Sequence, residues 1–277
     1  KMQSCGDDYI FIDNRNNSIT CAESLCVSLC TQHFGIGADG IVLIENSDKA
    51  DVLIRSFNRD GSNGVIAGNN MRCVAKLLYD NGDVEADRET ITIEMGGKVH
   101  EMKINVSDGK VSSVTADMGA ISFDAAAVPV VFRDGSKQVI NRIIRKLDDD
   151  YRITCCSVGN PHCVIFMDNI DKIKIDKVGP SFENAGIFPE KTNTEFVRIV
   201  NRNTLRMRVW ERGNGETLAC GTGACAAVAA AVVNGRCDEG TDVTVKVLGG
   251  DLTVNYTAEH TYLTGPVVKV FEGTFEY

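Results

Sequence analysis

The chain has 277 residues, a formal net charge of −9 and 43% hydrophobic residues. Such a chain can bury the core of one large or two ordinary globular domains. The acidic balance argues against a nucleic-acid or anionic-membrane partner, and no apolar run approaches the roughly 18 residues that span a bilayer. The opening KMQSCGDDYI lacks the pattern of a signal peptide. We therefore expect a cytoplasmic protein.

Eleven cysteines are spread along the chain, and their spacings do not form the paired CxxC units of a zinc site. In a reducing compartment such cysteines remain thiols and behave as small buried hydrophobic residues. We therefore predict no metal site and no disulfide framework. Cys220 is the exception, because its surroundings favour a reactive thiol.

The first half of the chain predicts strands on either side of one main helix. Apolar or alternating runs predict strands over 8–13, 51–57 and 91–95. Between the last two, apolar residues recur at helical spacing and predict a helix over 69–82. That segment ends in Asn-Gly, a pair that favours a helix stop.

The second half predicts the same order of elements. Strands are predicted over 163–168, 205–210 and 243–248, and a helix over 222–235. This helix is rich in Ala and Val on every face, which indicates complete burial, and it too ends in Asn-Gly. The pattern breaks between the halves at 117–122.

One offset of 153 residues relates the two halves. It aligns Arg59 with Arg212, Gly68 with Gly221, Asn81-Gly82 with Asn234-Gly235, and Gly96-Gly97 with Gly249-Gly250. Chance would supply a few such matches but not this ordered set. We therefore predict an internally duplicated domain of mixed α/β (α+β) class.

Both helices begin in sequences that suit an anion. Cys220 precedes Gly221-Thr222-Gly223, so we expect it to cap a helix whose first amides are free. Such amides and the helix dipole bind an anion and lower the pKa of a nearby thiol. Residues 67–70, AGNN, form the same arrangement in the first half, with Ala67 at the position that pairs with Cys220.

Two thiols at two helix N-termini suit the inversion of an amino-acid α-carbon. Inversion needs a base on one face and an acid on the other, and thiols supply both without a cofactor. If the halves face one another across a cleft, one carboxylate can be held by both helices. The alternative is that Cys220 is a buried capping cysteine and that its glycines serve packing alone.

Seven segments together make the chain resemble diaminopimelate epimerase and the wider family of pyridoxal-independent amino-acid racemases, across essentially its whole length. They are GIGADG (35–40), FNRDGS (57–62), GNNMRC (68–73), VGNPHCV (158–164), NTEFV (193–197), ERGNGET (211–217) and ACGTGA (219–224). The resemblance implies two pseudo-symmetric domains, each a strand barrel around a central helix, with the active site between them. It implies that the last strand returns to the first domain, which gives 1–117 plus 263–277 and 118–262. It also suggests a homodimer.

The resemblance further implies an isomerase that interconverts LL- and meso-diaminopimelate, in lysine and peptidoglycan precursor biosynthesis, without a cofactor. In that family a catalytic cysteine precedes each of the two glycines. Cys220 matches one of them, and Ala67 stands at the position of the other, so we expect impaired catalysis. Because Gly68 and Asn69 remain, we interpret Ala67 as an introduced Cys→Ala change rather than decay of the site. Cys73 is no substitute, since it lies about 9 Å of helix rise further along.

The resemblance also assigns roles to the remaining polar residues. Those expected to contact the distal amino-acid end of a small-molecule substrate are Asn58, Asn160, Asn193 and Arg212. The residues expected to tune the thiols are His162 and Glu211. The backbone amides expected to hold the carboxylate belong to Gly68, Asn69, Gly221 and Thr222. His33, His100 and His260 match no motif, and we expect them to be surface or hydrogen-bonded residues.

One position departs from the family. The usual Gly-Asn-Asp is Gly6-Asp7-Asp8 here, and the offset pairs Asp7 with Asn160. A carboxylate in place of an amide favours a cationic group on the ligand. Two alternatives therefore stay open: a racemase of another amino acid, such as histidine, and an amino-acid-binding homologue that has lost catalysis.

Overall fold

The computed structural model describes residues 1–64 and 68–276. The chain forms two compact units, which we call unit 1 and unit 2. Unit 1 comprises Lys1–Asp117 and Thr264–Tyr277, and unit 2 comprises Met118–Leu263. Each unit is described below by itself.

Unit 1 contains two helices and the strands at both ends of the chain. The helices are α1 (Ala22–Cys30) and α2 (Gly68–Asn81). Its strands, numbered in chain order, are β1 (Met2–Ser4), β2 (Asp7–Asp13), β3 (Gly40–Glu45), β4 (Val52–Asn58), β5 (Thr90–Met95), β6 (Lys98–Ser107), β7 (Lys110–Asp117) and β17 (Val268–Lys269).

The strands of unit 1 surround α2. Each strand from β1 to β7 pairs with the next strand in the chain. The β2–β3 and β4–β5 pairs are parallel, and the other pairs are antiparallel. After the chain returns, Thr264 Oγ1 lies 2.7 Å from Thr115 Oγ1 on β7, and β17 pairs with β1. Helix α2 packs against β1, β2, β5, β6, β7 and β17. The predicted strand barrel around a central helix is confirmed for this unit.

Unit 2 repeats this plan with an additional hairpin. The helices are α3 (Ile175–Glu183) and α4 (Gly221–Val233), with a short 3-10 turn at Ile170–Lys172. Its strands are β8 (Arg142–Lys146), β9 (Asp149–Ser157), β10 (Pro161–Phe166), β11 (Asn193–Asn201), β12 (Thr204–Glu211), β13 (Gly215–Thr217), β14 (Asp242–Val247) and β15 (Gly250–Tyr256), while β16 (Thr261–Pro266) carries the chain back towards unit 1.

The strands of unit 2 surround α4 in the same way. The ladder runs β8–β9–β10–β11–β12–β14–β15, with β10–β11 and β12–β14 parallel, and β13 pairs with β12. Helix α4 packs against β9, β10, β11, β12, β14 and β15. Unit 2 is therefore a second strand barrel around a central helix.

The offset of 153 holds from β2 to the start of the central helix. Helices α1 and α3 begin 153 residues apart and are equally long, as α2 and α4 begin at Gly68 and Gly221. The register agrees as well, because Tyr9 pairs with Gly40 as His162 pairs with Asn193. Duplicated sequence has thus kept the same strand register in both units.

The offset is wrong beyond the central helices. Residues Gly96-Gly97 form the turn of the β5–β6 hairpin, where Met95 pairs with Lys98. In unit 2 the corresponding turn is Leu248-Gly249, because Val247 pairs with Gly250. One residue is therefore missing from the second copy after α4, and the alignment of Gly96-Gly97 with Gly249-Gly250 was one residue out.

The two central helices are buried by different means. Residues 224–231 of α4 are fully buried and are small, so this helix fits closely inside its ring of strands. Helix α2 instead buries Arg72 and Lys76. A buried charge must be paired, and Lys76 Nζ donates to Asp80 Oδ2 at 2.6 Å and to the Val111 carbonyl at 2.5 Å. Among the described residues, none of the helices is both long and apolar enough to cross a membrane.

Helix α3 packs closely against β12 at one glycine. A Cβ atom placed on Gly179 would lie 2.4 Å from ring atoms of Trp210. The Trp210 ring cannot move away freely, because its Nε1 donates to Glu183 Oε2 at 2.7 Å. Gly179 therefore permits this helix–strand approach.

We expect Gly179→Ala to lower the free energy of unfolding. Overpacking against the ring should cost about 1–3 kcal/mol, more than the gain of at most about 1 kcal/mol in helix propensity. Urea titration followed by tryptophan fluorescence measures the difference. Gly186→Ala is the control, since a Cβ there meets nothing within 4 Å. Equal midpoints for the two variants would contradict the packing argument.

Candidate active site

Cys220 caps helix α4. Its backbone is extended, with φ −131° and ψ 111°, and its Sγ accepts a hydrogen bond from the Gly223 amide at 3.4 Å. The first helical hydrogen bond runs from the Ala224 amide to the Cys220 carbonyl at 2.9 Å. The amides of Gly221 and Thr222 lie in the first turn, where a helix offers no internal acceptor. The thiol thus lies at a helix N-terminus, as the sequence predicted.

The predicted lowering of the Cys220 pKa is wrong. Burial raises the pKa of this thiol well above its usual value, and the nearby carboxyl groups of Glu211 and Glu195 add to the rise. Hydrogen bonds from Thr222 and from the Gly223 amide act in the opposite direction but are outweighed. A helix N-terminus lowers a thiol pKa only where solvent loss is small. At rest Cys220 is a protonated thiol.

A chain of side-chain contacts leads from Cys220 into the core of unit 2. Thr222 Oγ1 lies 3.5 Å from Cys220 Sγ and accepts from Asn160 Nδ2 at 3.3 Å. Asn160 Oδ1 lies 2.9 Å from His162 Nε2, and His162 Nδ1 lies 2.7 Å from Glu195 Oε1. The structure thus brings together three of the predicted residues, Thr222, Asn160 and His162, with the predicted thiol.

The end of β12 supplies a second group of predicted residues. Glu211 is half-buried and accepts from Thr217 Oγ1 at 2.5 Å. Asn193 is buried; its Nδ2 donates to the Pro161 carbonyl at 3.0 Å, and its Oδ1 accepts from the Arg212 amide at 2.9 Å. The exposed Arg212 guanidinium donates to the Glu190 carbonyl at 2.9 Å. Asn193 therefore fixes the backbone that presents Arg212.

Glu183, which sequence reasoning missed, binds the chain on both sides of Glu211 and Arg212. Its carboxylate accepts from Trp210 Nε1 at 2.7 Å and from the Gly213 amide at 3.1 Å. These hydrogen bonds, with Lys191, hold the pKa of Glu183 below its usual value despite burial. Glu183 thus ties the residues on both sides of Glu211 and Arg212 to the end of α3.

The helix N-terminus of unit 1 carries an equivalent contact. Asn69 Nδ2 donates to Asp7 Oδ2 at 2.6 Å, and the offset pairs these residues with Thr222 and Asn160. Arg72, fully buried one turn further along α2, donates to Ser4 Oγ at 3.0 Å and to Asn69 Oδ1. Each unit therefore links the start of its β2 or β10 region to the first turn of its central helix.

Asp7 is the carboxylate of this contact, and burial raises its pKa to about 6. The hydrogen bond from Asn69 and the charge of Arg72 oppose the rise, while Asp39 and Asp8 add to it. Asn160, at the equivalent position, is a neutral amide. The two helix N-termini thus differ in charge at matching positions.

The other predicted residues of unit 1 fall near this helix start. Gly68 is the first residue of α2, and Ala67 lies outside the described residues. Asn58 ends β4, where its Nδ2 donates to Ser62 Oγ at 3.0 Å and its carbonyl accepts from Cys26 Sγ at 3.0 Å. The side chain of Asn58 is therefore held within its own turn, apart from the Asp7–Asn69 pair.

Cys21 also lies at a helix N-terminus, as the N-cap residue of α1, but its side chain makes no capping hydrogen bond. All eleven cysteines lie among the described residues and form no disulfide, and burial raises the pKa of Cys73 to about 12. Across residues 1–64 and 68–276, no group of three or more His, Cys, Asp or Glu side chains could hold a metal ion. Among the described residues, Cys220 is thus the cysteine whose Sγ accepts a helix-capping hydrogen bond.

Glu195 is the second residue that sequence reasoning missed. It lies inside NTEFV, one of the segments that carry the family resemblance, and its side chain is fully buried against His162. An acidic residue within an apolar strand run was the available signal, because a buried carboxylate needs a partner.

Solved structures with the same fold define the class. A PhzF-family phenazine biosynthesis protein from Bacillus anthracis matches with a TM-score of 0.67 and 16% identity, covering 96% of this chain and 92% of that one. A hydroxyproline epimerase from Agrobacterium vitis, solved with trans-4-hydroxy-L-proline, matches with a TM-score of 0.62 and 15% identity, covering 98% and 89%. The chain thus has the duplicated barrel fold that these proteins share.

Sequence relatives narrow this class. The diaminopimelate epimerase family model matches residues 1–123 and 154–270. Diaminopimelate epimerases from Methanococcus maripaludis and Agathobacter rectalis are 44% and 41% identical, each over 100% of this chain and 98% of theirs. The chain belongs to the diaminopimelate epimerase family, a family of isomerases.

We expect the Asp7 carboxyl to titrate near pH 6. Folding stabilises its protonated form, so its contribution to the free energy of unfolding falls as pH rises from about 4 to about 6. Carbon-13 NMR of the Asp side chains, with the signal assigned by Asp7→Asn, measures the midpoint. Asp13, whose pKa Arg15 lowers, is the internal control. A midpoint near 4 for Asp7 would contradict its burial.

Proposed function

We propose that the parent of this chain, which has Cys at position 67, interconverts LL- and meso-diaminopimelate by two-base inversion at the α-carbon. The relatives that match this chain over its whole length are named diaminopimelate epimerase. One observation in the structure supports the proposal most: the Cys220 thiol caps a central helix beside first-turn amides that have no acceptor within the helix. Cys220 is one acid/base, and the residue replaced by Ala67 is the other.

The proton transfers follow from the resting state of Cys220. A thiolate at position 67 removes the α-proton, the C–H electron pair passes to the carbon, and the Cys220 thiol gives its proton to the opposite face. In the reverse direction the two groups exchange roles. The raised pKa of Cys220 suits a resting proton donor. His162 and Glu211 adjust this thiol, His162 through Asn160 and Thr222.

Carboxylate binding falls to the first turns of the two central helices. Their amides, from Gly68 and Asn69 and from Gly221 and Thr222, stabilise the charge that develops on the carboxylate as the α-proton leaves. No cofactor is needed for this chemistry.

The distal amino-acid end of the substrate is assigned to other residues. Arg212 can bind the distal carboxylate with two parallel hydrogen bonds. The amides of Asn58, Asn160 and Asn193 complete the set by resemblance, and Asp7 adds a carboxylate that favours an ammonium group.

We also propose a cytoplasmic location and a homodimer. A cytoplasmic location is supported by eleven cysteines that form no disulfide, since unpaired thiols of this number persist in a reducing compartment. A homodimer rests on the family resemblance alone.

We expect the chain with Ala67 to bind diaminopimelate but to invert it very slowly. One face of the α-carbon lacks its proton acceptor, and loss of a positioned acid/base costs about 10² to 10⁴ in rate. The neutral Cys220 thiol is a poor base and cannot replace it. Titration calorimetry measures binding, and circular dichroism of the amino acid measures inversion. Full activity with Ala67 would contradict the two-thiol mechanism.

Ala67→Cys should restore inversion, and a substrate panel identifies the amino acid. Assays with diaminopimelate, histidine and proline distinguish the family reaction from other racemases, with Cys73→Ala as a control that leaves the restored activity intact. Activity on histidine alone would favour the racemase alternative. Binding without activity in Ala67→Cys would favour a non-catalytic homologue.

A further inference from the structure

The contacts around His162 carry an inference beyond the roles assigned above. Its imidazole is fully buried between Asn160 and Glu195, with nitrogen–oxygen distances of 2.9 Å and 2.7 Å. Glu195 is also fully buried, and its Oε2 has no hydrogen-bond partner among the described residues. This carboxyl group is therefore held at one oxygen only.

The charge of the Glu195–His162 pair is fixed by its surroundings. The other titratable groups that face Glu195 are the thiols of Cys156, Cys163 and Cys220, whose pKa values burial raises, so they are neutral. An ionised carboxylate without a cation is too costly in such a site. The pair must be neutral overall: either a protonated Glu195 beside neutral His162, or a carboxylate beside an imidazolium.

Both forms place a hydrogen on His162 Nε2. A protonated Glu195 carries its hydrogen on Oε1, because a hydrogen on the buried Oε2 would meet no acceptor. It then donates to Nδ1, which leaves the imidazole hydrogen on Nε2, and an imidazolium carries hydrogen on both nitrogens. Nε2–H then donates to Asn160 Oδ1, which leaves Asn160 Nδ2 to donate to Thr222 Oγ1. Since Thr222 accepts from Asn160, its own hydrogen is free for Cys220 Sγ, 3.5 Å away.

We propose that Glu195 is a positioning residue that keeps His162 Nε2 protonated and thereby directs the Thr222 hydroxyl hydrogen to Cys220 Sγ. If Nε2 lost its hydrogen, it would accept from Asn160 Nδ2. Asn160 Oδ1 would then take the hydroxyl hydrogen, and the Cys220 thiolate would lose one of its two donors. Unit 1 has Tyr9 and Val42 at the matching positions, so this device belongs to the Cys220 side alone.

Nitrogen-15 NMR of the unmodified chain tests the protonation directly, whatever the substrate proves to be. Only four histidines contribute signals, and His162→Gln assigns the relevant one. We expect the signal of a protonated His162 Nε2, because both neutral forms of the pair place a hydrogen there. An unprotonated Nε2 would overturn the proposal.

The catalytic consequence rests on the proposed function and is measured in the Ala67→Cys background. Glu195→Leu should lower kcat about tenfold, the size of one lost hydrogen bond to a charged atom, with KM unchanged. Glu195→Gln, which can still donate to Nδ1, should retain more activity. Thr194→Val changes the neighbouring buried residue of β11 and is the control for disturbing the strand. Its kcat should equal that of the Ala67→Cys protein.

The outcomes separate the two claims. A kcat in Glu195→Leu equal to that of the Ala67→Cys protein would overturn the positioning role. Equal losses of kcat in Glu195→Leu and Glu195→Gln would overturn it as well. If Ala67→Cys shows no inversion at all, the proposed function fails, while the nitrogen-15 result still decides the protonation of His162. If Glu195→Leu does not fold, nitrogen-15 NMR of the unmodified chain still tests the protonation of His162 Nε2.

Discussion

One hydrogen bond, made once in each unit, connects the strands to the first turn of the central helix. In unit 1 Asn69 donates to Asp7, and in unit 2 Asn160 donates to Thr222. Apolar packing is not directional, so a hydrogen bond at this point adds a directional contact between each helix start and its strands. Each contact holds the first turn, whose amides would hold an anion.

The two units use this contact with different chemistry. Unit 1 places a carboxylate and the buried Arg72 around Asn69. Unit 2 has the neutral chain from Thr222 through Asn160 to the His162–Glu195 pair. Duplication has therefore kept the backbone, while the side chains have diverged to give each helix start its own charge.

Burial decides the state of Cys220. A thiol at a helix N-terminus is often read as a reactive thiolate, yet here the loss of solvent and two nearby carboxyl groups outweigh the helix amides. The consequence is a thiol that is protonated at rest, and under the proposed mechanism it becomes a thiolate when it gives its proton to the substrate. Donors at Gly223 and Thr222 are then in place to stabilise the charge.

The sequence predicted the repeated strands, the central helices and the capping position of Cys220, because periodicity, Asn-Gly stops and a fixed offset are local signals. It missed α3, since Gly179 and Pro180 lie within it and only packing against Trp210 explains the glycine. It missed Glu195 and gave the wrong sign for the Cys220 pKa. Both depend on how deeply tertiary packing buries a group, which no local pattern reports.

Under the proposed function, two separate groups serve the two faces of the α-carbon. Single-turnover conversion of LL-diaminopimelate by the Ala67→Cys protein in deuterated water tests it most directly. With two bases, the meso product carries one solvent deuterium at the inverted carbon, and the unreacted LL substrate keeps its hydrogen at early times. Deuterium appearing in recovered LL substrate as fast as in product would show that one base serves both faces, and would contradict the account.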